Sequence, residues 1–224
     1  MGMKKIIVAI DEHKKEKFIK ILCSLDPDIC LVKVGSVSFN SLGHQIINEV
    51  ANKGFEIFLD LKLHDIPNTV KKSIEGLINL PIKMLTVHTS GGIDMLKASV
   101  DAVKDTNIKI IGVTALTSLS DKDTNFIYGR NTKDQVNSML DLIEESDIHG
   151  VVCSSNELIL LNNRKQLISI TPGIRMQKSD DDQKRTMSPK EAVENGADYI
   201  VIGRPITNSD DISKTLKDIQ QSIS

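Results

Sequence analysis

The segment Asp60-Leu61-Lys62-Leu63-His64-Asp65 sets acids and a base into a leucine-rich run. Side chains alternate along an extended strand, so Asp60 and Lys62 share one face while Leu59, Leu61 and Leu63 share the other. If the leucine face packs against helices, the two charges turn inward, where burial is costly unless charges are paired and hydrogen-bonded. The same parity puts Ala9 and Asp11 on one face of the run 6–11, and it separates Lys33 from Val32 and Val34 in the run 30–35. Asp11, Lys33, Asp60 and Lys62 therefore read as an alternating array of acids and bases. A salt-bridge network that only plugs the fold is the alternative, but apolar replacements usually stabilise a core as well as buried pairs do. Carboxylates beside a lysine favour its charged form. A lysine held that way can deliver a proton to a carbanion that forms next to it. Schiff-base chemistry would need a neutral amine, which these neighbours disfavour.

A second group reads as an anion cradle. Thr171-Pro172-Gly173-Ile174-Arg175 and Gly203-Arg204-Pro205 each combine the open backbone N–H groups of a glycine turn with an arginine fork. Either piece alone is also an ordinary turn. The polar stretch 176–187, MQKSDDDQKRTM, is long enough to close over a ligand as a lid, or to be a solvated surface loop. Among the histidines, His88 precedes Ser90-Gly91-Gly92 and suits structure or ligand equally. His64 reads as a packed, hydrogen-bonded residue, and His13, His44 and His149 as surface positions.

The elements that must position these groups follow from short β-branched runs at 6–11, 30–35, 55–63, 84–90, 108–116, 150–155, 167–174 and 199–206. Between them lie stretches of helical periodicity such as 14–25, 41–53 and 69–79. Ser188-Pro189-Lys190-Glu191 forms a capping-box pattern, and Asn195-Gly196 is a fitting end for the helix it starts. Eight strands alternating with helices at an average of about 28 residues predict an α/β fold, a (β/α)8 TIM barrel, as one domain spanning residues 1–224. A doubly wound sheet shows the same alternation, but no G-x-G-x-x-G follows the first strand, where Asp11 stands instead. Active sites of barrels lie at the C-terminal ends of the strands. Asp11, Lys33, Asp60, Lys62, His88, Thr117, Arg175 and Arg204 all fall there.

Composition narrows the rest. Of 224 residues, 40% are hydrophobic and 26% charged, with a formal net charge of −2, which argues against a dedicated nucleic-acid binder. Aromatic residues make up 3% with no Trp, which argues against base-stacking modules. The longest apolar run, 6–10, is far short of the roughly 18 residues of a membrane helix. Lys4 and Lys5 precede a strand-length run ending at Asp11, unlike a signal peptide, and Ile6 stands where a myristoylation signal after Met1-Gly2 needs Ser or Thr. A soluble cytoplasmic protein is expected. Cys23, Cys30 and Cys153 form no C-x-x-C pair, and no H-E-x-x-H occurs, so neither a disulfide framework nor a zinc site is indicated. The cysteines read as small buried hydrophobes.

These motifs resemble those of the orotidine 5′-phosphate decarboxylases, the bacterial group in particular. The likeness runs through VAID at Asp11, KVG at Lys33, DLKLHDIPNT from Asp60 to Thr69, VTALTS at Thr117, TPGIR at Arg175, DDQKR at Gln183 and IGRPI at Arg204. The resemblance implies decarboxylation of orotidine 5′-phosphate to UMP, the last step of de novo pyrimidine synthesis, without metal or cofactor. It implies Lys62 as proton donor to C6 of the pyrimidine, with Asp60 and Asp65 flanking it, and Lys33 and Asp11 on the ribose hydroxyls. Thr117 would contact the base, Pro172 would line the substrate site, and Gln183, Gly203 and Arg204 would hold the phosphate while Arg175 helps the lid close. It also implies a homodimer in which Asp65, Ile66 and Thr69 reach the neighbouring subunit's site. Thr89 stands where a smaller residue is expected. The 3-keto-L-gulonate 6-phosphate decarboxylases and hexulose-phosphate synthases share the Asp-x-Lys-x-x-Asp pattern, but they use a glutamate on the second strand to help ligate Mg²⁺. Here Lys33 stands in that place, and a charged lysine repels the ion. A non-catalytic phosphate-binding barrel would need the two loops but not Lys62.

Overall fold

The computed structural model describes residues 4–162, 164, 167–175 and 187–223. Eight parallel strands, β1 (Ile6–Ile10), β2 (Cys30–Gly35), β3 (Ile57–Leu63), β4 (Met84–His88), β5 (Lys109–Val113), β6 (Gly150–Val152), β7 (Ile168–Thr171) and β8 (Tyr199–Ile202), follow one another round a closed barrel. Pairing of β1 with β8 completes it. The strands are buried on both faces, which is why they read as near-continuous apolar runs rather than clean alternation.

Parity divides the strands between two cores. Val8, Val32, Leu59, Leu85 and Val151 face outward and pack with helix residues such as Phe18, Ile47, Val70 and Leu140. Ile7, Leu31, Phe58, Met84, Ile111, Ile170 and Tyr199 face inward and fill the barrel floor. Each fully buried side chain of this kind contributes on the order of 2 kcal/mol, so the floor is a firm base. Two residues further along the strands, the inward positions change character: Leu31 is followed by Lys33, Phe58 by Asp60, and Met84 by Thr86. The strands thus raise polar groups over an apolar floor, at their C-terminal ends.

Several boundaries differ from the sequence pattern. The stretch 41–53 is not one helix. Helices Ser36–Leu42 and Gln45–Asn52 meet at Gly43, whose φ of 68° stops the first of them. The runs 84–90 and 150–155 are strands only to His88 and Val152, after which single 3₁₀ segments, Thr89–Gly91 and Ser155–Leu161, take over. The run 108–116 ends as a strand at Val113, and helices Asp121–Tyr128 and Thr132–Glu145, capped by Ser120 and Asn131, fill the long connection to β6. The Ser188 capping box forms as expected, starting helix Pro189–Glu194. Cys30 and Cys153 are buried, and burial pushes the Cys30 thiol up to about 12 and Cys153 higher still, so neither is nucleophilic. Cys23 departs from the expectation: it is exposed, at the end of helix Lys15–Cys23. His149 is not a free surface residue either, since its Nδ1 accepts a hydrogen bond from the Ile110 N–H at 3.1 Å and ties the start of β6 to β5. Among the described residues no helix is long and apolar enough to cross a membrane.

Candidate active site

A cleft of about 560 Å³ opens at the C-terminal end of the barrel. Asp11, Lys33, Asp60, Lys62, Thr117, Pro172, Arg175, Gly203 and Arg204, all expected from the sequence, line it. Asp11 follows the last residue of β1, in a turn anchored from below. Ser38, fully buried, donates its hydroxyl toward the carbonyls of Ile10 and Glu12 (2.8 Å each) and accepts from the Glu12 N–H at 2.9 Å. Ser38 sits in the helix that periodicity missed, and nothing in its local sequence signals this duty.

The charges form a connected array. Lys33 Nζ lies 3.1 Å from Asp11 Oδ1 and 3.5 Å from Asp60 Oδ2, and Lys62 Nζ donates to both Asp60 oxygens at 2.8 Å. Pairing of Ala9 with Lys33 and of Gly35 with Asp60 sets the strands in the register that makes these contacts possible. Gly35 is a site residue that sequence reasoning passed over: a Cβ there would lie 2.8 Å from both Asp11 Oδ1 and Lys33 Nζ. The missing side chain leaves room for the ion pair.

Asp60 is 8% exposed. Burial alone would push its carboxyl up, but the ammonium groups of Lys33 and Lys62, with hydrogen bonds from Lys62 and Thr86, outweigh burial and hold it below its ordinary value. Asp60 is therefore an anion throughout the neutral range, and its charge is shared between two lysines.

Lys62 reaches this position through a distortion that strand parity does not foresee. The β3–β4 register shifts between Leu59, opposite Leu85, and Leu63, opposite Val87. Within the bulge Lys62 takes φ +50°, a left-handed conformation that costs a non-glycine residue about 1–2 kcal/mol. Its N–H donates to Thr86 Oγ1 at 2.8 Å, and Thr86 Oγ1 in turn donates to Asp60 Oδ1 at 3.0 Å. Thr86 is fully buried and looks, in sequence, like any β-branched strand residue.

Beside the array, Ser90 Oγ lies 2.7 Å from His88 Nδ1 and 3.3 Å from His64 Nε2, and the two rings stand 5.3 Å apart. Burial, then the nearby His64 and Lys62, lower the His88 pKa and favour the neutral ring. His64 is exposed rather than packed as expected. Neither imidazole lines the cleft.

Round the barrel past β1, which pairs with β8, the cleft is also lined by Pro172, Gly173 and Arg175 from the loop after β7 and by Gly203, Arg204, Thr207 and Asn208 after β8. Gly173 has φ 79°, and Arg175 Nη1 donates to the Ile174 carbonyl at 3.0 Å. Thr117 and Ser118 border the cleft from the β5 side, and Phe58, Val113, Val152 and Val201 give it an apolar base. Sequence reasoning missed these apolar members because they look like ordinary strand residues. Gln183 and most of the expected lid lie outside the described residues. Asp65, Ile66 and Thr69 do not line the cleft of their own chain. They are exposed just beyond β3, with Asp65 Oδ1 accepting from the Ile66 N–H at 2.7 Å.

The arrangement suits one type of chemistry. A cation held 2.8 Å from a buried carboxylate lines a cleft of about 560 Å³, a volume in the range of small-molecule sites, that two arginines also line. It can stabilise a developing carbanion and protonate it.

Comparison with known proteins agrees with this reading. Residues 4–219 match the model of the orotidine 5′-phosphate decarboxylase / HUMPS family. An orotidine 5′-phosphate decarboxylase of Wolbachia pipientis subsp. Culex pipiens is 43% identical over 99% of each chain. One from Saccharophagus degradans is 39% identical, covering 96% of this chain and 92% of that protein. The crystal structure of the orotidine 5′-phosphate decarboxylase from Lactobacillus acidophilus superposes with a TM-score of 0.86 at 34% identity, over 99% of each chain.

Proposed function

The chain belongs to the orotidine 5′-phosphate decarboxylase / HUMPS family, and on that footing we propose that it decarboxylates orotidine 5′-phosphate to UMP in pyrimidine biosynthesis. The observation that carries the reading is the Asp11–Lys33–Asp60–Lys62 array in a cleft that Arg175 and Arg204 also line. The substrate spans the cleft, its phosphate on Gly203 and Arg204 with Gln183, and its pyrimidine between Thr117 and Lys62. Asp11 and Lys33 hold the ribose hydroxyls. The bond between C6 and the carboxylate carbon breaks, CO₂ leaves, and the electron pair stays on C6. Lys62 stabilises that pair with its ammonium charge and then gives C6 a proton, which solvent later returns to the amine. Binding of the remote phosphate supplies energy for closing the site over the reacting carbon. Arg175 takes part in that closure.

The protein works as one barrel domain in the cytoplasm, paired as a homodimer with no nucleic-acid or membrane partner. Ile66 is 67% exposed, and Phe126 and Ile127 are 93% and 55% exposed. Burying such large side chains against a second copy is favourable, and the family resemblance places Asp65, Ile66 and Thr69 in the neighbouring cleft of such a dimer.

The Mg²⁺-dependent sugar-phosphate enzymes of the same family form the second reading. Against them, the Lys33 ammonium occupies the space between Asp11 and Asp60, the two carboxylates that would otherwise attract a divalent cation. Purified protein is expected to convert orotidine 5′-phosphate to UMP at an undiminished rate in excess EDTA, followed by loss of orotidylate absorbance. Turnover that returns only on adding Mg²⁺, or no turnover of orotidine 5′-phosphate at all, would move the assignment to the sugar-phosphate relatives or to a binding protein.

A further inference from the structure

We propose that Thr86 is a positioning residue for Lys62, holding the lysine backbone in its left-handed bulge and the Asp60 carboxylate against its ammonium through one buried hydroxyl. The inference rests on the decarboxylase reading of the same site.

The geometry is a closed loop of contacts. The Lys62 N–H donates to Thr86 Oγ1, Thr86 Oγ1 donates to Asp60 Oδ1, and Asp60 accepts from Lys62 Nζ. Lys62 is thus gripped at both ends, backbone and ammonium, by groups that Thr86 connects. The direction of the bonds has no alternative. An N–H can only donate and an ionised carboxylate can only accept, so the hydroxyl must accept from one and donate to the other. The bulge explains why the contact is needed. Where β3 departs from regular pairing with β4, the Lys62 N–H leaves the sheet ladder, and a partly buried donor must find another acceptor. Thr86 supplies it from the adjacent strand. Among the described residues the only non-glycine positions with positive φ are Lys62 and Asp147, and strain persists where surrounding bonds over-determine it. Thr86, 0% exposed, touches neither the cleft nor solvent, so it acts through Lys62 and Asp60 rather than on the substrate.

Thr86→Val keeps the branched shape and removes the hydroxyl, and Thr86→Ser keeps the hydroxyl. With orotidine 5′-phosphate, Thr86→Val is expected to lower kcat at least tenfold with KM changed less than threefold, while Thr86→Ser stays within threefold of wild type in both. Hydrogen exchange at the Lys62 amide, read by NMR, should speed up at least tenfold in Thr86→Val and stay near wild type in Thr86→Ser. If Thr86→Val does not fold, Thr86→Ala carries the same two expectations. The proposal is overturned if the hydroxyl-free variant keeps wild-type kcat, if its loss appears in KM alone, or if Thr86→Ser is impaired as deeply as Thr86→Val. Wild-type protein that makes no UMP contradicts the decarboxylase reading instead. The Lys62 amide then decides the positioning claim alone, unchanged protection in the hydroxyl-free variant counting against it.

Discussion

Lys62→Ala is expected to lower kcat for orotidine 5′-phosphate by about four orders of magnitude or more, because the proposed mechanism draws two effects from one side chain. General-acid transfer is worth roughly 10²–10⁴ and preorganised charge stabilisation of an anionic transition state roughly 10²–10³. Both act on the carbanion, and neither acts comparably on bound UMP. The affinity for UMP should therefore change far less than kcat, as judged by titration calorimetry. The fold should survive. Asp60 keeps Lys33 at 3.5 Å and the Thr86 hydroxyl at 3.0 Å, so the buried carboxylate is not left without partners. A variant that turns over within tenfold of wild type would remove Lys62 from the chemistry and leave the cleft as a phosphate-binding site.

The second large effect tests whether each site is built from two chains. Asp65 follows Lys62 closely in sequence yet does not line the cleft of its own chain. If it completes the partner's site, Lys62→Ala and Asp65→Ala homodimers are each nearly inactive, since every site carries one lesion. Unfolding and refolding an equal mixture makes half the dimers mixed by simple combinatorics. Each mixed dimer holds one site with both lesions and one with none, so activity should recover to roughly a quarter of wild type. Mixed dimers confirmed by mass spectrometry and showing no recovery would assign Asp65 to its own barrel.

Much of this site is legible in the sequence because strand parity is a strong constraint. A barrel strand packed on both faces cannot hide an acid or a base, so Asp60, Lys33 and Asp11 stand out from Val, Ile and Leu, and their common inward direction follows from the apolar residues beside them. The loops after β7 and β8 stand out because glycine and arginine in those places suit an anion, and both loops do line the cleft. Other features leave no trace. Parity places Lys62 on the correct face, but the bulge and its φ of +50° depend on how β3 meets β4, which no local pattern encodes. Thr86 is hidden for the opposite reason, since a threonine in a strand is what β-propensity alone would supply. Gly35 reads as a strand end, and only the 2.8 Å distances from its absent Cβ reveal the space it leaves. The helix Ser36–Leu42 is obscured because its buried member is the polar Ser38, which periodicity scores against it.

The proposed role of Lys62 as the proton donor to C6 can be tested without turnover of the carboxylated substrate. By microscopic reversibility, an amine that protonates C6 during catalysis also removes the C6 proton of bound UMP at a slow but measurable rate. Incubation of UMP in D₂O with wild-type protein, followed by proton NMR, should show protein-dependent loss of the C6–H signal. Lys62→Ala should show none above the uncatalysed background. Exchange at the same rate in both proteins would contradict the assignment of Lys62 as the acid that completes the reaction.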